Sequence, residues 1–90
     1  MRRLWKRVHV AGFSIPVYLH DNLENEGEYH YDKHEIRIDA CQPRQKWGEI
    51  VLHESLHAID DVHGLKLSER QVRALSLALH QAGARIREAK

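Results

Sequence analysis

The stretch His53-Glu54-Ser55-Leu56-His57 sets two imidazoles and a carboxylate inside an apolar run, with Ile50-Val51-Leu52 before it and Ala58-Ile59 after it. On an α-helix, residues four apart lie one above the other on the same face. His53 and His57 can therefore reach one metal ion, and Glu54, about 100° further round the helix, can reach a water on that ion. Two neutral ring nitrogens suit Zn2+, and a carboxylate beside a zinc-bound water is the arrangement for metal-assisted hydrolysis of a peptide bond. The pattern implies His53 and His57 as ligands and Glu54 as general base.

Three fixed identities in five residues recur by chance, so the surroundings decide. With His53 placed at 0° on a helical wheel, Trp47, Val51, Ser55, Ala58 and Val62 occupy one broad sector, and Leu52, Leu56, Ile59 and His63 the opposite one. A helix buried on two sides with a narrow polar stripe between them needs a reason to bury that stripe, since unpaired polar groups are costly inside. A metal ion supplies the reason.

A catalytic zinc site takes three protein ligands and leaves a fourth position open. His63, ten residues after His53, matches the spacing of the metzincin pattern H-E-x-x-H-x-x-G-x-x-H, but Asp60 stands where that pattern needs glycine, and the only methionine is Met1. If the helix continues to Gly64, His63 points roughly 80° away from His53. Glu69 is the better candidate, because it opens a second helix at the border of its apolar stripe and should face the first helix. A purely local role for Glu69, complementing the helix dipole for about 0.3–1 kcal/mol, would need no inward face. Asp60 and Asp61 remain as further candidates, either as ligands or as acceptors for the second ring N–H of a ligand histidine. Tyr29, Tyr31, His30, His34 and, less naturally, His80 are candidate donors to a developing oxyanion; strand packing and plain surface polarity are their ordinary alternatives.

These residues have to be positioned by a small framework. Residues 8–19 are rich in β-branched and aromatic types and are interrupted by Ala11-Gly12-Phe13-Ser14, which predicts two short strands joined by a tight turn. Pro16 limits the second strand to an edge or to its first residue. Residues 20–28 form a polar loop. Residues 28–31 and 35–39 flank Asp32-Lys33-His34 as a second hairpin, with Ile36 and Ile38 on a buried face and Glu35, Arg37 and Asp39 on a wet one. A helix starts near Pro43 and stops at Gly64. Ser68-Glu69-Arg70-Gln71 has the form of a capping box opening a second helix, whose apolar stripe is Val72, Leu75, Leu79, Ala82 and Ile86. Strands first and helices last predict an α+β fold: a small antiparallel or mixed sheet of three to four strands followed by two α-helices.

Bulk properties narrow the function classes. Ninety residues suit one domain over residues 1–90, and a core this small would gain stability from a bound metal. Fourteen basic and thirteen acidic residues leave a net charge of +1, so no overall field points to nucleic acid or to an anionic membrane. The basic start, Met1 to Arg7, has no apolar segment after it and so does not form a secretory signal; it is expected to be a solvated, frayed end. No apolar run approaches the ~20 residues of a membrane span. The single cysteine, Cys41, excludes an internal disulfide and fits a reducing, cytoplasmic setting, where a buried inert thiol is the expected role.

Glu69-Arg70-Gln71-Val72-Arg73-Ala74-Leu75-Ser76-Leu77-Ala78-Leu79 resembles the second motif helix of gluzincin-type peptidases, and is most similar to that of the small ImmA/IrrE-like and phage-borne metallopeptidases. In these a glutamate opens the helix and apolar or small residues follow, here Val72, Leu75, Ser76 and Leu79. The layout from about Val8 to Leu79, a small sheet with an Ile-Arg-Ile strand and then Leu52-His53-Glu54-Ser55-Leu56-His57-Ala58, resembles the same group. The resemblance implies a minimal zincin core with His53, His57 and Glu69 as ligands, Glu54 as general base and a polypeptide substrate. Two departures stand out: the gap between His57 and Glu69 is short for gluzincins, and the proline-ended helix of the ImmA/IrrE group is absent. A substrate chain would add to the strand at residues 35–39 if that strand lies at the sheet edge. Two other functions fit the residues: a zinc-stabilised regulatory or adaptor domain without turnover, and a metal-dependent nuclease recruiting His63 and the basic N-terminus.

Overall fold

The computed structural model describes residues 2–89. Strands β1 (Arg2–Val10), β2 (Phe13–His20), β3 (Gly27–His30) and β4 (Glu35–Asp39) come first, a 3₁₀ turn at Arg44–Lys46 leads into α1 (Trp47–His63), and α2 (Glu69–Gln81) precedes a short β5 (Glu88–Ala89). The five strands form one sheet in the order β3-β4-β2-β1-β5. β2 and β4 run parallel, and the other neighbours are antiparallel. The fold is α+β, as expected, with β5 as an additional strand clipped onto β1.

The β1–β2 turn follows from two residues. Ala11 and Gly12 both have positive φ, 51° and 84°, the backbone of a type I′ turn whose twist matches that of the strands it joins. Beyond it, Val8, Val10, Ile15, Val17 and Leu19 alternate onto one face with Ile36 and Ile38 of β4, and all are buried. Trp47, Ile50, Val51 and Ala58 of α1 close this core from above. A bulge between Leu4 and Lys6 takes Trp5 out of register, and its ring meets Trp47 edge-on at 5.1 Å.

Several expectations are corrected. The basic start is not frayed: from Arg2 onward it is β1, where the Arg2 guanidinium lies 3.7 Å over the Tyr18 ring and pairs with Glu35 at 2.9 Å. Pro16 sits inside β2 between two strands rather than at an edge or a strand start. Counted from the closing Val10–Phe13 pair, it falls at a non-hydrogen-bonded position opposite Arg7, and the ladder to β4 begins only at Val17, so its missing N–H disturbs neither ladder. β4 is likewise internal, with β3 outside it, so no added chain can pair with residues 35–39. Nor is its polar face wet. Glu35 and Asp39 are buried, Glu35 bonded by Arg2 and Arg37 and Asp39 by the Cys41 backbone N–H. Burial alone would raise the Glu35 pKa, but hydrogen bonds and charge from Arg37 and Arg2 outweigh it and hold the carboxyl below its ordinary value.

In the helical half, α1 ends at Gly64 in the left-handed conformation (φ 62°). α2 opens with the expected capping box, Ser68 Oγ accepting from the Gln71 N–H at 3.1 Å and Gln71 Oε1 from the Ser68 N–H at 2.8 Å. It stops at Gln81, earlier than a stripe reaching Ile86 requires. Gly83 at φ 87° turns the chain, and the Gly83 and Ala84 N–H groups close back on the His80 and Leu79 carbonyls. Ile86 then packs against the core from the extended segment that follows. The buried face of α2 is Val72 and Ser76, whereas Leu75 and Leu79 are 44 % and 38 % exposed.

Candidate metal centre

The five-residue connector between α1 and α2 sends the second helix back along the first, so a short gap between His57 and Glu69 suffices to bring them together. Asp60 Oδ1 accepts the Leu67 N–H at 3.2 Å and ties the connector to the last turn of α1. With the capping box behind it, Glu69 is fixed at the first position of α2. Its two carboxylate oxygens lie 3.0 Å from His53 Nε2 and 3.1 Å from His57 Nε2. The imidazole rings stand 5.1 Å apart at 70°. One ligand atom from each of His53, His57 and Glu69 falls within 4.8 Å of the others, and no second such group of histidine, cysteine or acidic residues occurs among the described residues.

Hydrogen-bond accounting shows what this cluster is suited to hold. Ser76 Oγ lies 3.1 Å from both the Arg73 carbonyl and His53 Nδ1; with its single proton given to the carbonyl, it is placed to accept from Nδ1. In that arrangement His53 carries its proton on Nδ1 and turns the Nε2 lone pair toward the Glu69 carboxylate; with the proton on Nε2 instead, the ring donates to Glu69 Oε1. Two acceptors at 3.0 Å are stable only with a proton or a cation between them. Two imidazole nitrogens and a carboxylate form the donor set of a three-ligand zinc site, and the residues fit that ion. Ser76 is the group placed to hold His53 in the tautomer that would bind a metal through Nε2, a role for which the sequence reading considered Asp60 and Asp61.

Glu54 lies beside the cluster, 7 % exposed, and no side-chain hydrogen bond or ion pair among the described residues engages its carboxylate. Burial first, and then the charges of Glu69 and Glu28, push its pKa up to about 8. A cation among His53, His57 and Glu69 would oppose the repulsion and favour the ionised form. β3 comes close enough to bury Glu54 because residue 27 has no side chain: a Cβ on Gly27 would collide with Ile50 Cγ2 and lie 3.3 Å from Glu54 Oε2. Ser55, the next residue of the motif, is fully buried, and its hydroxyl has no hydrogen-bond partner among the described residues.

A cleft of about 1020 Å³ runs past these groups, with α1 as its floor, β3 and the loop before it as one wall, and the early turns of α2 as the other. Tyr29 and Tyr31 line it. The Tyr29 hydroxyl donates to Asp61 Oδ2 at 2.8 Å, and burial together with this acceptor raises its pKa. Both partners are thus occupied with each other, so Asp61 does not receive a histidine N–H. Tyr31 is 74 % exposed in the cleft, with no hydrogen-bond partner among the described residues. The remaining candidates lie elsewhere. His30 pairs with Glu28 at 2.8 Å, His34 packs edge-on against Phe13 and Tyr29, and His80 lines a separate small pocket with Lys6. His63 is exposed at the end of α1, outside the converging group. Cys41 is exposed rather than buried, its sulfur 3.7 Å from Asn22 Oδ1, and it does not reach the cleft.

Sequence reasoning did not assign roles to Ser76, Gly27 or Arg73, which comes within 3.9 Å of Glu69. Ser76 carried a usable signal: a small polar residue seven positions after Glu69 on the stripe facing α1. Gly27 read only as a loop glycine. Comparison of the chain with protein-family models, with curated proteins and with solved structures gave no match. The functional case therefore rests on the geometry of this cleft.

Proposed function

We propose that the protein is a minimal zinc-dependent endopeptidase, with His53, His57 and Glu69 holding the metal and Glu54 as general base. The observation that carries this is the convergence of the two Nε2 atoms and the Glu69 carboxylate beside a buried, unpartnered glutamate. A zinc ion there would supply Lewis acidity toward a water and a peptide carbonyl. Glu54 takes a proton from the attacking water on its carboxylate and delivers it to the departing amine nitrogen. Ser76 holds the His53 ring in the tautomer and orientation that ligation requires. Among the described residues β3 pairs only with β4, so its outer edge can add an extended substrate strand along the cleft, the role the sequence had offered to residues 35–39. Tyr31 is the cleft-lining hydroxyl available to a developing oxyanion.

Glu54→Gln tests the reading. The variant should retain bound zinc and the wild-type melting behaviour while peptide cleavage falls below detection. Wild-type protein that holds zinc but cleaves no more than this variant on a diverse peptide library would replace hydrolysis with the non-catalytic, zinc-stabilised role.

A further inference from the structure

Charge is segregated in this molecule. The chain as a whole is close to neutral, yet the cleft is lined by seven acidic side chains against one arginine, Arg73, and the two histidines His53 and His57. Glu26 and Glu49 stand toward the start of α1 and Asp60 and Asp61 toward its end, with Glu28, Glu54 and Glu69 between them. Three of these charges make no ion pair among the described residues, although the Lys46 charge acts on Glu49 from a distance. Among the described residues no ion pair engages Glu49, Asp60 or Asp61; Asp60 is held by the Leu67 N–H and Asp61 by the Tyr29 hydroxyl, both neutral donors. Glu26, Glu28 and Glu69 are the ones with partners, Lys46 at 2.9 Å, His30 at 2.8 Å and Arg73 at 3.9 Å. A zinc ion among His53, His57 and Glu69 would offset the charges of Glu54 and Glu69, and Glu49, Asp60 and Asp61 would still focus a negative field along the concave surface and favour cations. Glu54, nine-tenths buried and unpartnered at the centre of the cleft, independently marks it as a place where a ligand completes the polar accounting.

We infer that the cleft selects cationic polypeptide segments, with lysine or arginine on both sides of the bond held at Glu54; this rests on the peptidase reading above for the position of that bond. Spacing along α1 sets the positions. Glu49 lies four residues before His53, about 6 Å along the helix axis, and Asp60 lies three residues past His57, about 4.5 Å beyond it. The full interval from Glu49 to Asp60 is about 16 Å, the length of roughly five extended residues. Basic side chains about two residues to either side of the central bond therefore meet carboxylates, whereas an acidic segment meets repulsion at both ends.

The test uses full-length, zinc-loaded protein and three fluorescent peptide sets of one length, rich in lysine and arginine, neutral, or rich in glutamate. Binding is measured on Glu54→Gln and cleavage on wild type. Cationic peptides should bind at least about 10-fold more tightly than acidic ones, with the advantage shrinking as salt rises from about 0.01 M to about 0.15 M. Combined Glu49→Gln, Asp60→Asn and Asp61→Asn substitutions keep both neutral hydrogen bonds and should bring the sets within about twofold of each other with zinc content unchanged. Glu49→Gln alone, on a half-exposed helical position, should remove part of the preference and serves if the triple variant does not fold. Equal binding of cationic and acidic sets, or a preference that survives neutralisation, overturns the inference. Efficient cleavage of neutral and acidic peptides would overturn it while leaving the peptidase intact; selective cationic binding without cleavage would support it while removing the peptidase.

Discussion

Replacing Ser76 with alanine separates metal binding from folding. Ser76 is 4 % exposed and contributes one acceptor, at 3.1 Å from His53 Nδ1. Without it, the tautomer that turns Nε2 toward the metal leaves a half-buried N–H unpaired, at a cost of about 1–3 kcal/mol. The metal-free protein escapes that cost by moving the proton to Nε2, where Glu69 Oε1 at 3.0 Å accepts it. The penalty therefore falls on the metal-bound form, and zinc affinity should drop about 10–100-fold, the range observed when outer partners of ligand histidines are removed. Competition against a chromophoric chelator measures the affinity, and thermal melts of the metal-free proteins measure the fold. The expected signature is weakened zinc binding with a metal-free melting temperature close to wild type. Affinity unchanged within about twofold, or a melting temperature that falls in proportion, would refute the tautomer argument.

Gly27→Ala should force β3 away from Ile50 and Glu54, lowering stability by about 1–3 kcal/mol in denaturant titrations and reducing cleavage more than zinc content. Ser55→Ala removes a buried hydroxyl that has no partner, so it should leave stability unchanged or raise it by about 1 kcal/mol, and a clear loss would show that the hydroxyl is bonded in solution. Glu35→Gln should destabilise by about 1.5–3 kcal/mol at pH 7, because two arginines lose a charged acceptor. The folded Glu35 carboxyl titrates below its unfolded value of about 4.3, so its contribution is present above that pH and lost as pH falls through the folded value. Wild type and Glu35→Gln should accordingly converge in stability on acidification, and a difference that stays constant down to strongly acidic pH would contradict the assignment.

Local chemistry was the legible part of the fold. Gly64 and the Ser68–Gln71 box sit where helix ends require them, and the alternation in β4 correctly chose Ile36 and Ile38 as its buried face. Long-range pairing was not legible. Arg2 and Glu35 are far apart in the chain, so nothing local indicated that the basic start would close the polar face of β4 as a strand. Pro16 argued against an internal strand because the alternation that places its nitrogen off the β1 ladder depends on where the turn falls. Apolarity also misjudged α2, where Ser76 is buried for its hydrogen bond and Leu75 and Leu79 stay exposed. At the site, the spacing of His53, Glu54 and His57 and the inward position of Glu69 could be derived from helix geometry. Gly27 could not, and for Ser76 only its place on the stripe facing α1 was legible, since each acts through a neighbour brought in by the fold.

Zinc stoichiometry of the purified wild type beside Glu69→Ala and His63→Ala tests the central claim most directly. Wild type and His63→Ala should each bind one equivalent with equal affinity, and Glu69→Ala should bind at least about 100-fold more weakly. A wild-type protein that takes up no zinc when offered it, or a loss on His63→Ala with none on Glu69→Ala, would contradict the account.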